Sequence, residues 1–193
     1  KTKTQTREDL IVDYLDVDLS LSEEDVAIQQ HAHKFAKEVM RPAAKELERL
    51  PSEKQIADDS PLWDFLKTAY ELGYHKIIFP EEVGGMGLTP LQQAIVMEEM
   101  GWGSNGLCIQ LGAAGAHALG GLMSQNPELI EEFTIPFCNC TDGSIRGCWA
   151  VTEPDHGSDT LGFGESWFET PEVQPSCRAV RDGEEWVING SKS

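Results

Sequence analysis

Helical spacing runs through most of this chain and then gives way to strand spacing at Arg146, a change of period that limits the possible folds more than any other feature. Up to that point, apolar residues recur every three or four positions. Beyond it, Gly147–Thr152 reads as a strand, and Arg178–Ile188 reads as a hairpin turning at Asp182-Gly183. Helices first and strands afterwards is an α+β order, in contrast to the alternation that builds a parallel sheet. The expected organisation is a lead-in over residues 1–20, an all-α domain over 21–143 and the start of an antiparallel β-domain over 144–193. Only about three strands fit before Ser193, too few for a buried sandwich or barrel, so the β-domain is expected to be truncated.

Local chemistry marks the helices. Ser22 is suited to cap a first helix whose buried face carries Ile28, Ala32, Phe35 and Val39, with Pro42 expected to kink or restart it before Pro51. A second amphipathic helix carries Leu62, Phe65, Leu66, Ala69 and Leu72 and stops at Gly73. The glycine-rich run Phe79–Leu88 reads as a shaped loop. Thr89, Pro90 and Gln92 then announce a new helix with a capping box. Gly106–Met123 mixes Gly and Ala with Leu, which suits either a closely packed helix or one lining a cavity, and Asn126-Pro127 caps the last helix before Pro136.

Fifteen Lys plus Arg against 33 Asp plus Glu give a formal charge of −18, which opposes binding to a nucleic-acid backbone. A phosphate-bearing cofactor must then be held by backbone N–H groups and local dipoles. No apolar run reaches the roughly 20 residues that span a bilayer, and the opening KTKTQTRED has no secretory character, so no membrane partner is expected. The five cysteines form no Cys-x-x-Cys pair, and Cys138 and Cys140 have no nearby His. Reduced thiols in a cytoplasmic setting, with no metal site, are expected.

The segment Trp149–Asp159 leaves a strand and enters a loop holding Thr152, Gly157 and Ser158. Such a loop either makes only a turn or binds a pyrophosphate: Gly157 admits an anion close to the backbone, Ser158 offers an N–H and a hydroxyl, and Thr152 can donate to a ring edge. TEPDHGSD, preceded by CWAV and followed after an insertion by WVINGSKS, resembles the flavin-binding signature of acyl-CoA dehydrogenases. The loop PEEVGGMGL, the helix carrying Met97-Glu98-Glu99-Met100 and the opening helix with Arg41-Pro42-Ala43-Ala44 resemble three further landmarks of that family, in the expected order. The resemblance runs from about Leu21 to Ser193.

That resemblance implies that Trp149, Ala150, Val151 and Thr152 lie against the ring of FAD, with Gly157 and Ser158 on its pyrophosphate and Ser158 beside the acyl-CoA tail. A core role for Trp149 is the alternative. It also implies that Cys108, Leu111 and Gly112, within Cys108–Ala114, form the floor of an acyl pocket; the alternative is that the small residues there only let helices approach. Glu153 and His156 carry no implied catalytic role. The implied activity is FAD-dependent α,β-dehydrogenation of an acyl-CoA in fatty acid metabolism. Its base is a glutamate beyond this chain, so no residue of the chain is catalytic and the chain alone is inactive. An electron-transferring flavoprotein is the implied acceptor, and a homodimer or homotetramer the implied assembly. Other readings are a flavin oxidase or monooxygenase of the same superfamily, or a non-catalytic fragment or interaction module. Two departures from the family stand out: Thr160–Ser176 is longer than the usual connection, and WVINGSKS stops where relatives continue into a Trp.

Overall fold

The computed structural model describes residues 21–162, 164–168, 170 and 173–193, so the 1–20 lead-in and Pro171 of the insertion lie outside it. The chain forms two compact units that divide between Arg146 and Gly147.

In the first unit, α1 (Glu23–Phe35) starts at the expected cap. Asp25 N–H donates to Ser22 Oγ at 3.1 Å, and the Asp25 carboxylate accepts from Ser22 N–H at 3.0 Å, satisfying two donors that the first turn would leave unpaired. Pro42 does not break the helix. A π-helical turn, Ala36–Met40, precedes it, and α2 (Arg41–Leu47) continues beyond. Arg41 N–H donates five residues back to Ala36 O, which widens the turn just where the proline ring would press on the carbonyl of Glu38. The same solution recurs at Pro136. Between α7 (Pro127–Leu129) and α8 (Ile135–Asn139) lies a π-helical turn, Ile130–Thr134, so this helix runs through the proline expected to end it.

After the short α3 (Ser52–Gln55), α4 (Pro61–Glu71) is capped by Ser60 and buries Leu62, Phe65, Leu66 and Ala69. Gly73 stops it with φ +83°, a conformation that side chains disfavour. Leu72 departs from the expected face and is 55% exposed, because it caps the helix end at the rim of a groove. In the glycine-rich loop, a Cβ on Gly85 would lie 2.0 Å from Phe79 O, so the chain crosses itself there and only glycine fits.

Helix α5 (Pro90–Ala114) begins with the Thr89–Gln92 capping box, bends at Ser104 and is followed after Gly115 by α6 (Ala116–Met123). It packs on α1 and on the first π-helical turn. The core of the unit is built from Phe35, Met40, Phe65, Leu66, Tyr70, Phe79, Met100, Leu111 and Phe137. No single helix among the described residues is long and apolar enough to cross a membrane.

The second unit holds one antiparallel hairpin, β1 (Arg178–Asp182) and β2 (Glu185–Asn189), with Val180 opposite Val187. Gly183, at φ +64°, makes the expected turn after Asp182. The expected strand Gly147–Thr152 is not formed. Val151 N–H donates to Trp149 O at 3.0 Å, a three-residue turn that folds the segment on itself and removes a donor a ladder would need.

Candidate functional site

Residues 149–159 form a loop with its own internal bonding. Glu153 N–H donates to His156 O at 2.8 Å and His156 N–H returns to Glu153 O at 3.3 Å, closing a tight turn over Pro154-Asp155. His156 Nδ1 and Asp159 Oδ2 are 2.7 Å apart, and Gly157 N–H donates to Asp159 Oδ1 at 2.6 Å. The bond from His156, then that from Gly157, holds the Asp159 carboxyl below the usual carboxylate range.

The predicted cofactor residues cluster on this loop, with Trp149, Ala150, Thr152 and Ser158 exposed and Val151 and Gly157 half-buried. Trp149 is 71% exposed within this chain. Gly157 has φ −162°, and its nearest neighbour for an added Cβ is Thr152 Cγ2 at 3.8 Å, an ordinary contact. No described atom crowds a Cβ at Gly157, in contrast to Gly85.

Glu153 sits inside the loop. Its carboxylate accepts from Lys192 Nζ at 2.7 Å and from Ser176 N–H at 2.6 Å, and it also takes the Cys177 N–H. Lys192 first, then these backbone donors, holds it below the usual carboxylate range. Such a group is a structural anchor. Lys192 is the residue that sequence reasoning passed over: the run WVINGSKS marks the segment, but nothing local signals where its ammonium goes.

Apart from Ser158 on the loop, the predicted substrate residues belong to the helical unit. Leu111 is 2% exposed and part of the core, Cys108 packs against that core with burial raising its thiol pKa, and Gly112 is exposed with nothing within 4 Å of an added Cβ. Close helix packing therefore does not explain Gly112; Gly103, where a Cβ would lie 2.8 Å from Ala36 Cβ, serves that purpose. An apolar groove of about 540 Å³ runs along α1, lined by Ile28, Phe35, Tyr74, Met86, Leu88 and Val96, and a smaller cavity of about 340 Å³ lies near Ala44 and Leu107. Cys108, Leu111 and Gly112 line neither.

Residues 22–126 match the family model described as acyl-CoA dehydrogenase, N-terminal domain. The chain is 28% identical over 172 residues to the mitochondrial isovaleryl-CoA dehydrogenase of Pongo abelii, covering 89% of this chain and 36% of the relative. It is 26% identical over 179 residues to the glutaryl-CoA dehydrogenase of Desulfococcus multivorans, covering 92% of this chain and 41% of the relative. A solved structure of the flavoprotein nitroalkane oxidase superposes with a TM-score of 0.71 at 24% identity, covering 91% of this chain and 39% of that one. This chain thus spans well under half the length of these relatives. With more than half of its residues matched by the family model, and the expected helical unit followed by an antiparallel hairpin, the chain belongs to the acyl-CoA dehydrogenase family.

Proposed function

We propose that this chain is the helical and flavin-loop portion of an FAD-dependent acyl-CoA dehydrogenase that introduces an α,β double bond into an acyl-CoA thioester. The observation that carries this reading is the loop itself: a bonded turn displays Trp149 and Thr152 at the surface, with room around Gly157 for an approaching group. Without a Cβ, Gly157 lets an external group come close to the backbone there. Trp149 offers a flat apolar face and Thr152 a hydroxyl donor, the pair of surfaces that a planar heteroaromatic ring requires.

FAD, when bound, supplies a hydride acceptor for the unactivated Cβ–H of the substrate. The residues of this chain orient and exclude water; the α-proton beside the thioester is acidic enough for a carboxylate base. Glu153 is excluded from that task because its oxygens already accept from Lys192, Ser176 and Cys177. The base is proposed to lie in another part of the protein, as the family resemblance implies, with an electron-transferring flavoprotein as the proposed acceptor and a homodimer or homotetramer as the proposed assembly.

Replacing Gly157 with Leu tests the reading. The full-length variant should fold normally yet carry less FAD per subunit by absorbance, and an unchanged flavin content would remove the loop from the cofactor site. The likeness to nitroalkane oxidase favours a second reading, a flavin oxidase. Turnover with an artificial electron acceptor, compared with oxygen consumption on the same acyl-CoA, separates the two.

A further inference from the structure

Three segments far apart in sequence converge on one buried carboxylate in the second unit. Glu153 is 3% exposed, and its acceptors take the N–H groups of Ser176 and Cys177 at the exit of the insertion. From the other direction Lys192 Nζ donates to Glu153 Oε1 at 2.7 Å and also reaches the carbonyl of Val151 at 3.3 Å. Ser193 N–H donates to the carbonyl of Thr152 at 2.9 Å. The segments are pressed together at Gly190 as well, where a Cβ would lie 2.4 Å from Cys177 Cα.

We propose that Glu153 and Lys192 form a clasp that sets the backbone of Val151 and Thr152, making both of them positioning residues for the flavin ring edge; this rests on the flavin reading above. A buried carboxylate is costly unless each oxygen is satisfied, and here one ammonium and two backbone N–H groups do so. The ammonium is the only one of these donors that also holds the loop backbone, through Val151 O. Removing it would leave Glu153 buried without its counter-charge and release the Val151 carbonyl together. The clasp also fixes the exit of the long insertion, at Ser176 and Cys177.

The test uses the full-length protein and its variants Lys192→Met, Lys192→Arg and Glu153→Gln with Lys192→Met. Arginine can bridge a carboxylate and a carbonyl as lysine does, so it should hold FAD within about threefold of wild type. Methionine should weaken FAD binding about tenfold or more and shift the visible flavin band, since the ring edge loses its fixed partner. If Lys192→Met alone does not fold, the double variant leaves no buried charge unpaired and should fold while still binding FAD weakly. Wild-type affinity and an unaltered band in Lys192→Met or in the double variant would overturn the clasp. If the wild-type protein binds no FAD, the flavin reading fails on its own, and amide exchange decides the clasp. Faster exchange at Ser176 and Cys177 in Lys192→Met than in Lys192→Arg supports it, and equal exchange overturns it.

Discussion

His75 is buried at 4% exposure, its ring stacked 4.0 Å from Tyr70 and edge-on to Phe137. Burial, reinforced by the Lys76 charge, pushes its pKa from 6.5 down to about 4, so the folded protein holds it neutral, with Nε2 donating to Phe137 O at 3.2 Å. The unfolded chain binds the extra proton between those values, so stability is full above pH 6.5 and is lost as pH falls towards 4. The loss should reach on the order of 3 kcal/mol, and His75→Phe should flatten the curve of melting temperature against pH in that window. Asp142, lowered to about 2 by its bonds from Ser144 and then Cys140, loses its contribution only below that window. Parallel curves for the two proteins would refute the assignment. Gly112 is the opposite kind of residue, with open space around it. Gly112→Phe should leave folding and flavin content intact but lower kcat/KM for long or bulky acyl-CoAs by about 1–3 kcal/mol, sparing short ones. Equal losses across chain lengths would show that it sets no pocket depth.

Among the helices, glycine's part depends on what the element packs against, and α5 contains both cases. Gly103 lies against the first π-helical turn, where an added Cβ would come 2.8 Å from Ala36 Cβ, whereas Gly101 has nothing within 4 Å. Gly103→Ala should therefore destabilise the helical unit by about 1–3 kcal/mol through overpacking. Gly101→Ala should stabilise it by up to about 1 kcal/mol through helix propensity, and thermal melts that move in the same direction would contradict this. The caps at Ser22, Thr89 and Asn126 and the stop at Gly73 were legible in the sequence because each depends on residues within a few positions. The π-helical turns that carry the chain past Pro42 and Pro136 were not, because such a turn answers to the packing of the whole helix. The strand over Gly147–Thr152 was misread for a related reason: alternation describes a surface, but a strand exists only where a partner takes its hydrogen bonds. The loop's composition could be read, but the Glu153–Lys192 pair that shapes it joins distant segments and leaves no local mark.

At the scale of the chain, the two units differ in what holds them. All the buried apolar side chains among the described residues lie between Ala32 and Cys140, and the second unit buries only Glu153. Both faces of β1 and β2 are exposed, with Val180, Trp186 and Ile188 open to solvent, and a two-stranded hairpin of this kind is marginal by itself in water. In the 1–193 chain, amides of β1 and β2 should therefore exchange rapidly while those of α1, α4 and α5 exchange slowly, a contrast that mass spectrometry of deuterium uptake measures. Oxidation of an acyl-CoA requires a carboxylate free to take the α-proton next to a fixed ring. Glu153, the buried carboxylate of the signature loop, is held by Lys192, and Glu99 in the helical unit is paired with His33 at 2.8 Å. With the base proposed to lie in another part of the protein, the 1–193 chain with added FAD should show no reduction of an artificial electron acceptor by acyl-CoA. Turnover by this chain would place the base within it and overturn the assignment of the base to another part of the protein.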